Sequence, residues 1–276
     1  MPWSVSQSFK YYVSSVSQVK HLASYNWIEA PTPTIAVPGY TGLAYIAQNA
    51  ARYPDSPLEL IFRALFIEQP NILRKLLSFI DPHSAINSEF IGESQFRGFG
   101  RQFEKSYTIP QAKGSTGHHR IIYYQLGSLN FLVRHEVDGY VKDDGDQQNF
   151  ITSAWELLNL SQSKPLKEKR FSSSILRIQH FGEPVTREST LEIKTRAAKK
   201  PLDLEKVIPR LWISQTPKPV RAHHHGGKFT SPEVEDVTIQ IQDWERRRQG
   251  EINLLVNLIK RIIHQTRAFG GSSTAR

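Results

Sequence analysis

The stretch from His118 to Val141 constrains this chain more than any other. Its two halves, HHRIIYYQL and SLNFLVRHEVDGYV, are rich in β-branched and aromatic residues and meet at Gly127-Ser128. Strand formers on either side of a glycine-containing turn predict two strands joined there. Similar texture returns in SSILRIQHF, STLEIKTRA and RLWISQT, so three further strands are expected downstream.

Helical periods flank this region. Ser56-Pro57 can cap and start a helix whose face is Leu58, Leu60, Ile61, Leu65 and Phe66, ending at Pro70. A second is predicted over Asn71–Ile80 on Ile72, Leu73, Leu76, Leu77 and Ile80, and a short third over Phe150–Leu160 within an exposed connection at 142–173. Ser231-Pro232-Glu233 supplies a cap, a proline and an acid at a positive helix end, and the pattern then runs to about Phe269. That span exceeds the common helix length, and a break is expected near Gly250. Residues 1–55, with VSSVSQ and EAPTPTIAVPGY, read as an irregular arm, and residues 270–276 as a disordered tail. The expected architecture is α+β: one domain over 56–269 with a central mixed, mostly antiparallel sheet flanked by helices, and a long C-terminal helix.

Composition narrows the chemistry. The 276 residues include no cysteine, which excludes disulfides, thiolate catalysis and zinc–cysteine or iron–sulfur sites, leaving oxygen or imidazole as metal ligands. No apolar run approaches a membrane span, and MPWSVSQSFKYYVSS lacks the apolar core of a leader; an intracellular protein of nucleus or cytoplasm, with no membrane partner, is expected. A formal charge of +9 favours anionic partners such as nucleic acid.

Two tripeptides stand out. Glu136 and Asp138 are two apart on an expected strand, as are Glu192 and Lys194, so each pair should share one face of a sheet. Three carboxylates and an ammonium brought together would form an oxygen-lined site for Mg²⁺ or Mn²⁺. Such a site suits phosphodiester hydrolysis, where metal-bound water ionises more readily and the ammonium orients it. The bland alternative is a solvated sheet face for Glu-x-Lys and a turn start for Asp138-Gly139.

With Gly100-Arg101-Gln102-Phe103-Glu104 before them, and Trp212 and Gln215 after, these segments stand in an order that resembles the PD-(D/E)XK nuclease superfamily. More narrowly, the chain resembles the eukaryotic decapping exoribonuclease and RNA 5′-end pyrophosphohydrolase family, with segments similar to fungal proteins of that group. The likeness runs from about Gly98 to Phe229. It implies a metal-dependent hydrolase of RNA 5′ ends, of decapping, pyrophosphohydrolase or 5′–3′ exoribonuclease type, with RNA and a 5′–3′ exoribonuclease as partners. It implies that Glu136, Asp138, Glu192 and the Ile193 carbonyl bind metal, Glu104 through water. Lys194 would orient the attacking water, and Gln215 would contact RNA or the lysine. The chain departs from the pattern at Gly227-Lys228-Phe229, where a hydrophobic residue and an arginine would follow the glycine. The first arginine motif has only Arg63 and Arg97 as candidates, and the segment 69–90 is short.

Nine basic residues, Lys194, Arg196, Lys199, Lys200, Lys206, Arg210, Lys218, Arg221 and Lys228, face only Asp203 and Glu205 in the same stretch. This is a candidate phosphate track, or else a solvated face; Arg101, Arg196 and Lys228 are expected RNA contacts, with Trp212 and Tyr140 as stacking surfaces or else, as is commoner for such aromatics, core residues. His223, His224 and His225 read as a mobile basic loop, His118-His119 as the start of a strand, and Asp143, Asp144 and Asp146 as a solvated turn. KDDGDQQ is the only Asp cluster, so a helical Asp-rich diphosphate site of the prenyl-transfer kind is excluded. The alternative to an enzyme is a catalytically impaired RNA-binding or partner-binding module on the same fold.

Overall fold

In the computed structural model the described residues are 13–39, 59–69, 99–108, 114–141 and 175–268. In chain order they form β1 (Val16–Ile28), β2 (Thr34–Gly39), α1 (Glu59–Glu68), α2 (Gly100–Tyr107), β3 (Ser115–Leu126), β4 (Leu129–Glu136) and β5 (Gly139–Tyr140). Then follow β6 (Arg177–Gly182), β7 (Thr190–Ala197), α3 (Leu204–Ser214), β8 (Lys218–His225), β9 (Lys228–Phe229), β10 (Glu233–Val234), α4 (Thr238–Arg247) and α5 (Gln249–Ala268). The expected helices at 71–80 and 150–160, the connection at 142–173, the tail, Arg97 and the Asp143–Asp146 turn lie outside the described residues.

The fold is α+β, with two mostly antiparallel sheets. One runs β4-β3-β1-β2-β6; the other runs β10-β8-β7-β5, with β9 on β8. Among the described residues, only β2–β6 and β7–β8 pair in parallel. The hairpin forms as expected: Leu126 pairs with Leu129 across Gly127-Ser128, and Gly127 takes φ 58°, a left-handed conformation that glycine adopts without a Cβ penalty.

The irregular arm is a correction. Residues 16–39 form β1 and β2, and β1 is the central strand of the first sheet. Its alternation is broken by register shifts between Ser17 and Lys20, His21 and Ala23, and Trp27 and Ile28, with Gln18 at φ 54°. Bulges of this kind erase the two-residue period that would have marked the strand.

Alternate residues of the sheet feed different cores. Ile121, Ala23, Tyr25 and Trp27 pack with Ala64 and Leu65 of α1, whereas Ile122, Tyr124 and Leu126 pack with Trp212, Ile252 and Val256 of α3 and α5. A third cluster, Phe103, Leu191, Ile193, Val220 and Ala222, fastens α2 to the second sheet. The α4–α5 junction also holds the start of β1: the Ser14 N–H donates to Gln249 Oε1 at 2.9 Å and the Val16 N–H to Glu245 Oε2 at 3.1 Å.

Two more expectations change. RLWISQT is the end of helix α3, not a strand: Asp203 accepts from the Glu205 N–H at 3.1 Å as the N-cap, and Leu204, Ile208, Leu211 and Trp212 follow helical spacing despite Pro209. The C-terminal helix starts at Thr238 instead of Ser231, because Glu233-Val234 pairs with Val220-Arg221 as β10. Its expected break near Gly250 falls at Arg248, between α4 and α5.

Candidate active site

β7 organises the site. It pairs with β5 only at Thr190 and Leu191, so the backbone of the next residues meets a side chain instead: the Ile193 N–H donates to Asp138 Oδ2 at 2.7 Å. Asp138 is placed by the preceding peptides. The Val137 N–H donates to the His118 carbonyl at 3.0 Å in the first sheet, and the Asp138 N–H to the Leu191 carbonyl at 3.3 Å in the second. The chain therefore crosses from one sheet to the other between Glu136 and Asp138. The expectation that both lie on one strand is corrected: Glu136 ends β4 opposite His119, and Asp138 sits in the seam.

Glu192 and Lys194 share a face of β7, as their spacing predicts. Glu192 is 2% exposed; its Oε1 accepts from Lys194 Nζ at 2.5 Å and forms an ion pair with Arg210 Nε at 2.8 Å. Glu104 approaches from α2. Gly100 lets the helix lie close, since a Cβ there would stand 3.1 Å from Thr195 Oγ1, and the buried Phe103 anchors the turn that carries Glu104. The Gly-x-x-Phe-Glu spacing thus has a local cause: a close approach, an anchor, then an acid.

The charges interact. Burial pushes the Asp138 carboxyl up to about 8, and the carboxylates of Glu192 and Glu104 push in the same direction; the Ile193 N–H and Lys194 oppose them. Glu136 is also raised, chiefly by burial, with Glu192 adding to the rise and Arg134 and Arg210 opposing it. Asp138, Glu192, Glu104 and Glu136 therefore share one electrostatic neighbourhood with Lys194 and Arg210.

Hard-oxygen donors that repel one another fit a small divalent cation chemically. As they stand, however, no three His, Asp or Glu side chains among the described residues are arranged to hold a metal ion. Glu192, the acid most deeply buried in the site, is paired with two cationic side chains.

Other expected residues are placed differently. Trp212, 3% exposed, is a core residue: its Nε1 donates to Glu245 Oε2 at 2.6 Å and its ring lies 5.4 Å from that of Trp244, so of its two expected roles the structure shows core packing and not a base-stacking surface. Gln215 caps α3 in a left-handed conformation, and its side-chain amide donates to the Trp212 carbonyl. Tyr140 is half-buried on β5. Arg196 and Lys228 are exposed on β7 and β9; Arg101 lies on α2, with its side chain outside the described part. The expected mobile histidine loop is the end of β8, where His224 packs edge-on against Phe99 and Phe229 and accepts from the Gly227 N–H at 3.3 Å. Arg210 was legible only as one of nine basic residues. Its place in the site follows once α3 is a helix, because Leu211 and Trp212 turn inward and leave it outward.

Fold and site together define an α+β chain with an acidic, lysine-bearing cluster at the seam of two sheets. The chain belongs to the family described as Domain of unknown function (DUF8563), whose model matches residues 57–275. No curated protein matches it. Among solved structures it is similar to Candida albicans Rai1 in complex with pU5-Mn2+, at 12% identity and a TM-score of 0.26. The match covers 61% of this chain and 31% of that one, so this chain spans under a third of Rai1.

Proposed function

We propose that this protein is a divalent-cation-dependent hydrolase of RNA 5′ ends, of PD-(D/E)XK type. The observation that carries the reading is the convergence on β7: Asp138 bound to the Ile193 amide, Glu192 bound to Lys194, and Glu104 and Glu136 within electrostatic reach. Asp138, Glu192 and Glu136 are the carboxylates that would hold Mg²⁺ or Mn²⁺, with the Ile193 carbonyl beside them and Glu104 acting through water. Bound there, the ion would ease ionisation of a water and steady charge on phosphorus. Lys194 stands on the same buried acid and is positioned to orient that water. Arg196, Lys199, Lys200 and Lys228 are exposed and lack an ion-pair partner among the described residues, which supports a phosphate track leading to the site.

The test is Mn²⁺-dependent release of nucleotides from 5′-end-labelled RNA. Outer partners of a metal site are typically worth 10- to 100-fold, so Asp138→Ala or Glu192→Ala should cost at least about 100-fold with circular dichroism unchanged. Wild-type rates in both variants would remove the catalytic assignment.

A second reading, an RNA-binding module without turnover, is favoured by one observation: Lys194 and Arg210 together occupy Glu192. Salt-sensitive RNA binding with no metal-dependent release from the wild-type chain would select it.

A further inference from the structure

Arg210 has no role in the hydrolase reading, yet it makes one of the two ion pairs on the most buried acid of the site. Its Nε stands 2.8 Å from Glu192 Oε1, the same oxygen that Lys194 contacts. The three partners are unequal. Glu192 is 2% exposed and Lys194 32%, whereas Arg210 is 57% exposed. The carboxylate is fixed and the guanidinium can leave, because an exposed cation regains water when its pair opens. Its backbone cannot leave: Ile208, Leu211 and Trp212 on either side are buried and hold this turn of α3 against the core. An arginine released from Glu192 therefore stays within a side chain's length of it. The same charge also acts on Glu136 and His135 of β4.

We propose that Arg210 is an exchangeable counter-cation: it competes with a divalent ion for Glu192 and, once displaced, binds a phosphate of the RNA substrate. The inference rests on the proposed hydrolase reading for the location of the cation. A planar guanidinium matches phosphate oxygens in a two-pronged way that ammonium cannot, so this residue is suited to the second position as well as the first. It is a positioning residue that couples metal occupancy to substrate affinity.

Arg210→Gln removes the charge from a largely exposed position and should leave circular dichroism unchanged. Two quantities are then measured: Mn²⁺ affinity by calorimetry, and affinity for a 5′-phosphorylated oligoribonucleotide by fluorescence anisotropy in Ca²⁺. The variant should bind Mn²⁺ several-fold more tightly than wild type. Its RNA affinity should be lower, with the log–log salt slope smaller by about 0.7, the loss of roughly one single-strand phosphate contact. Arg210→Lys, which keeps the charge, should return Mn²⁺ affinity towards wild type while restoring RNA affinity only in part. Equal or weaker Mn²⁺ binding by Arg210→Gln overturns the exchange, as does an unchanged salt slope. If wild type binds Mn²⁺ and the variant matches it, the exchange fails while the hydrolase reading stands. If neither binds Mn²⁺, both fail. Binding by the variant alone supports the exchange.

Discussion

At the scale of single residues, Trp212 illustrates how a signal can be real and its meaning different. An aromatic beside a glutamine late in the chain suggests a nucleobase platform, but this indole faces inward and donates to Glu245, the acid that also receives the Val16 N–H. A hydrogen bond to a charged acceptor is worth about 1.5–3 kcal/mol, and replacing the ring removes the donor without emptying the core. Trp212→Phe should therefore lower unfolding free energy by about 2 kcal/mol in urea titrations and leave RNA affinity as it was. A variant with wild-type stability and weakened RNA binding would return Trp212 to the surface role. By contrast, Glu192 and Lys194 were legible at this scale, since a two-residue spacing on a strand dictates a shared face whatever surrounds it. Asp138 was legible as a candidate, but its geometry was not, because nothing in Glu-Val-Asp-Gly marks the place where the chain leaves one sheet for another.

At the scale of elements, the layer formed by β1, β3 and β4 carries an acid-sensitive load. Arg120 pairs in register with His135 and Ile122 with His21, so these side chains share a face with His118, which meets Asn26 Oδ1 at 3.1 Å. Arg120 donates to the Val185 carbonyl at 2.7 Å, and the charged groups acting on the layer are Arg120, Arg134 and Arg210, with Glu188 acting on Arg120. Burial, reinforced by Arg120, pushes His21 down to about 4; burial, with Arg120 and Arg210 adding to it, pushes His135 to about 4 as well. His118 and His119 lie well below their ordinary value for the same leading reason.

Groups lowered in the fold give stability that is complete above their unfolded value of 6.5 and is lost as pH falls towards 4. Each imidazole contributes up to about 1.4 kcal/mol per pH unit in that window. Asp138 has the opposite sign: raised to about 8, it favours the fold as pH falls towards 3.8, by a similar slope. Two imidazoles against one carboxyl leave a net loss of about 1.4 kcal/mol per unit below pH 6.5, to which His118 and His119 add and which Glu136, raised by burial, reduces. Urea midpoints should fall from pH 6 to pH 5; equal midpoints at those two values would contradict the layer's neutrality. Little of this was visible beforehand. His118-His119 reads as the start of a strand, and β1 was hidden because three register shifts scramble its alternation. The hairpin was visible because its strands are regular and its turn needs a residue at φ 58° that glycine adopts freely. α3 was misread because β-branched and aromatic residues at Ile208, Trp212 and Ile213 carry strand texture while their spacing carries the helix.

At the scale of the molecule, the proposed site lies where two sheets meet. The first sheet supplies Glu136, the seam Asp138, the second sheet Glu192 and Lys194, and two helices bring Glu104 and Arg210 from outside. Net charge pointed to an anionic partner, and the absence of cysteine left oxygen or imidazole as metal ligands; neither could say that residues 56 apart in sequence, Asp138 and Lys194, would share a neighbourhood. That convergence is a product of β5 and β8 both pairing with β7, a long-range arrangement with no local signature. The account stands on whether these acids act as one cation site. Calorimetric titration of Mn²⁺ into the wild-type chain and into Asp138→Asn tests it: the wild type should bind, and the variant, which keeps shape and loses charge, should bind at least about 10-fold more weakly. Equal Mn²⁺ affinity in the two proteins would contradict it.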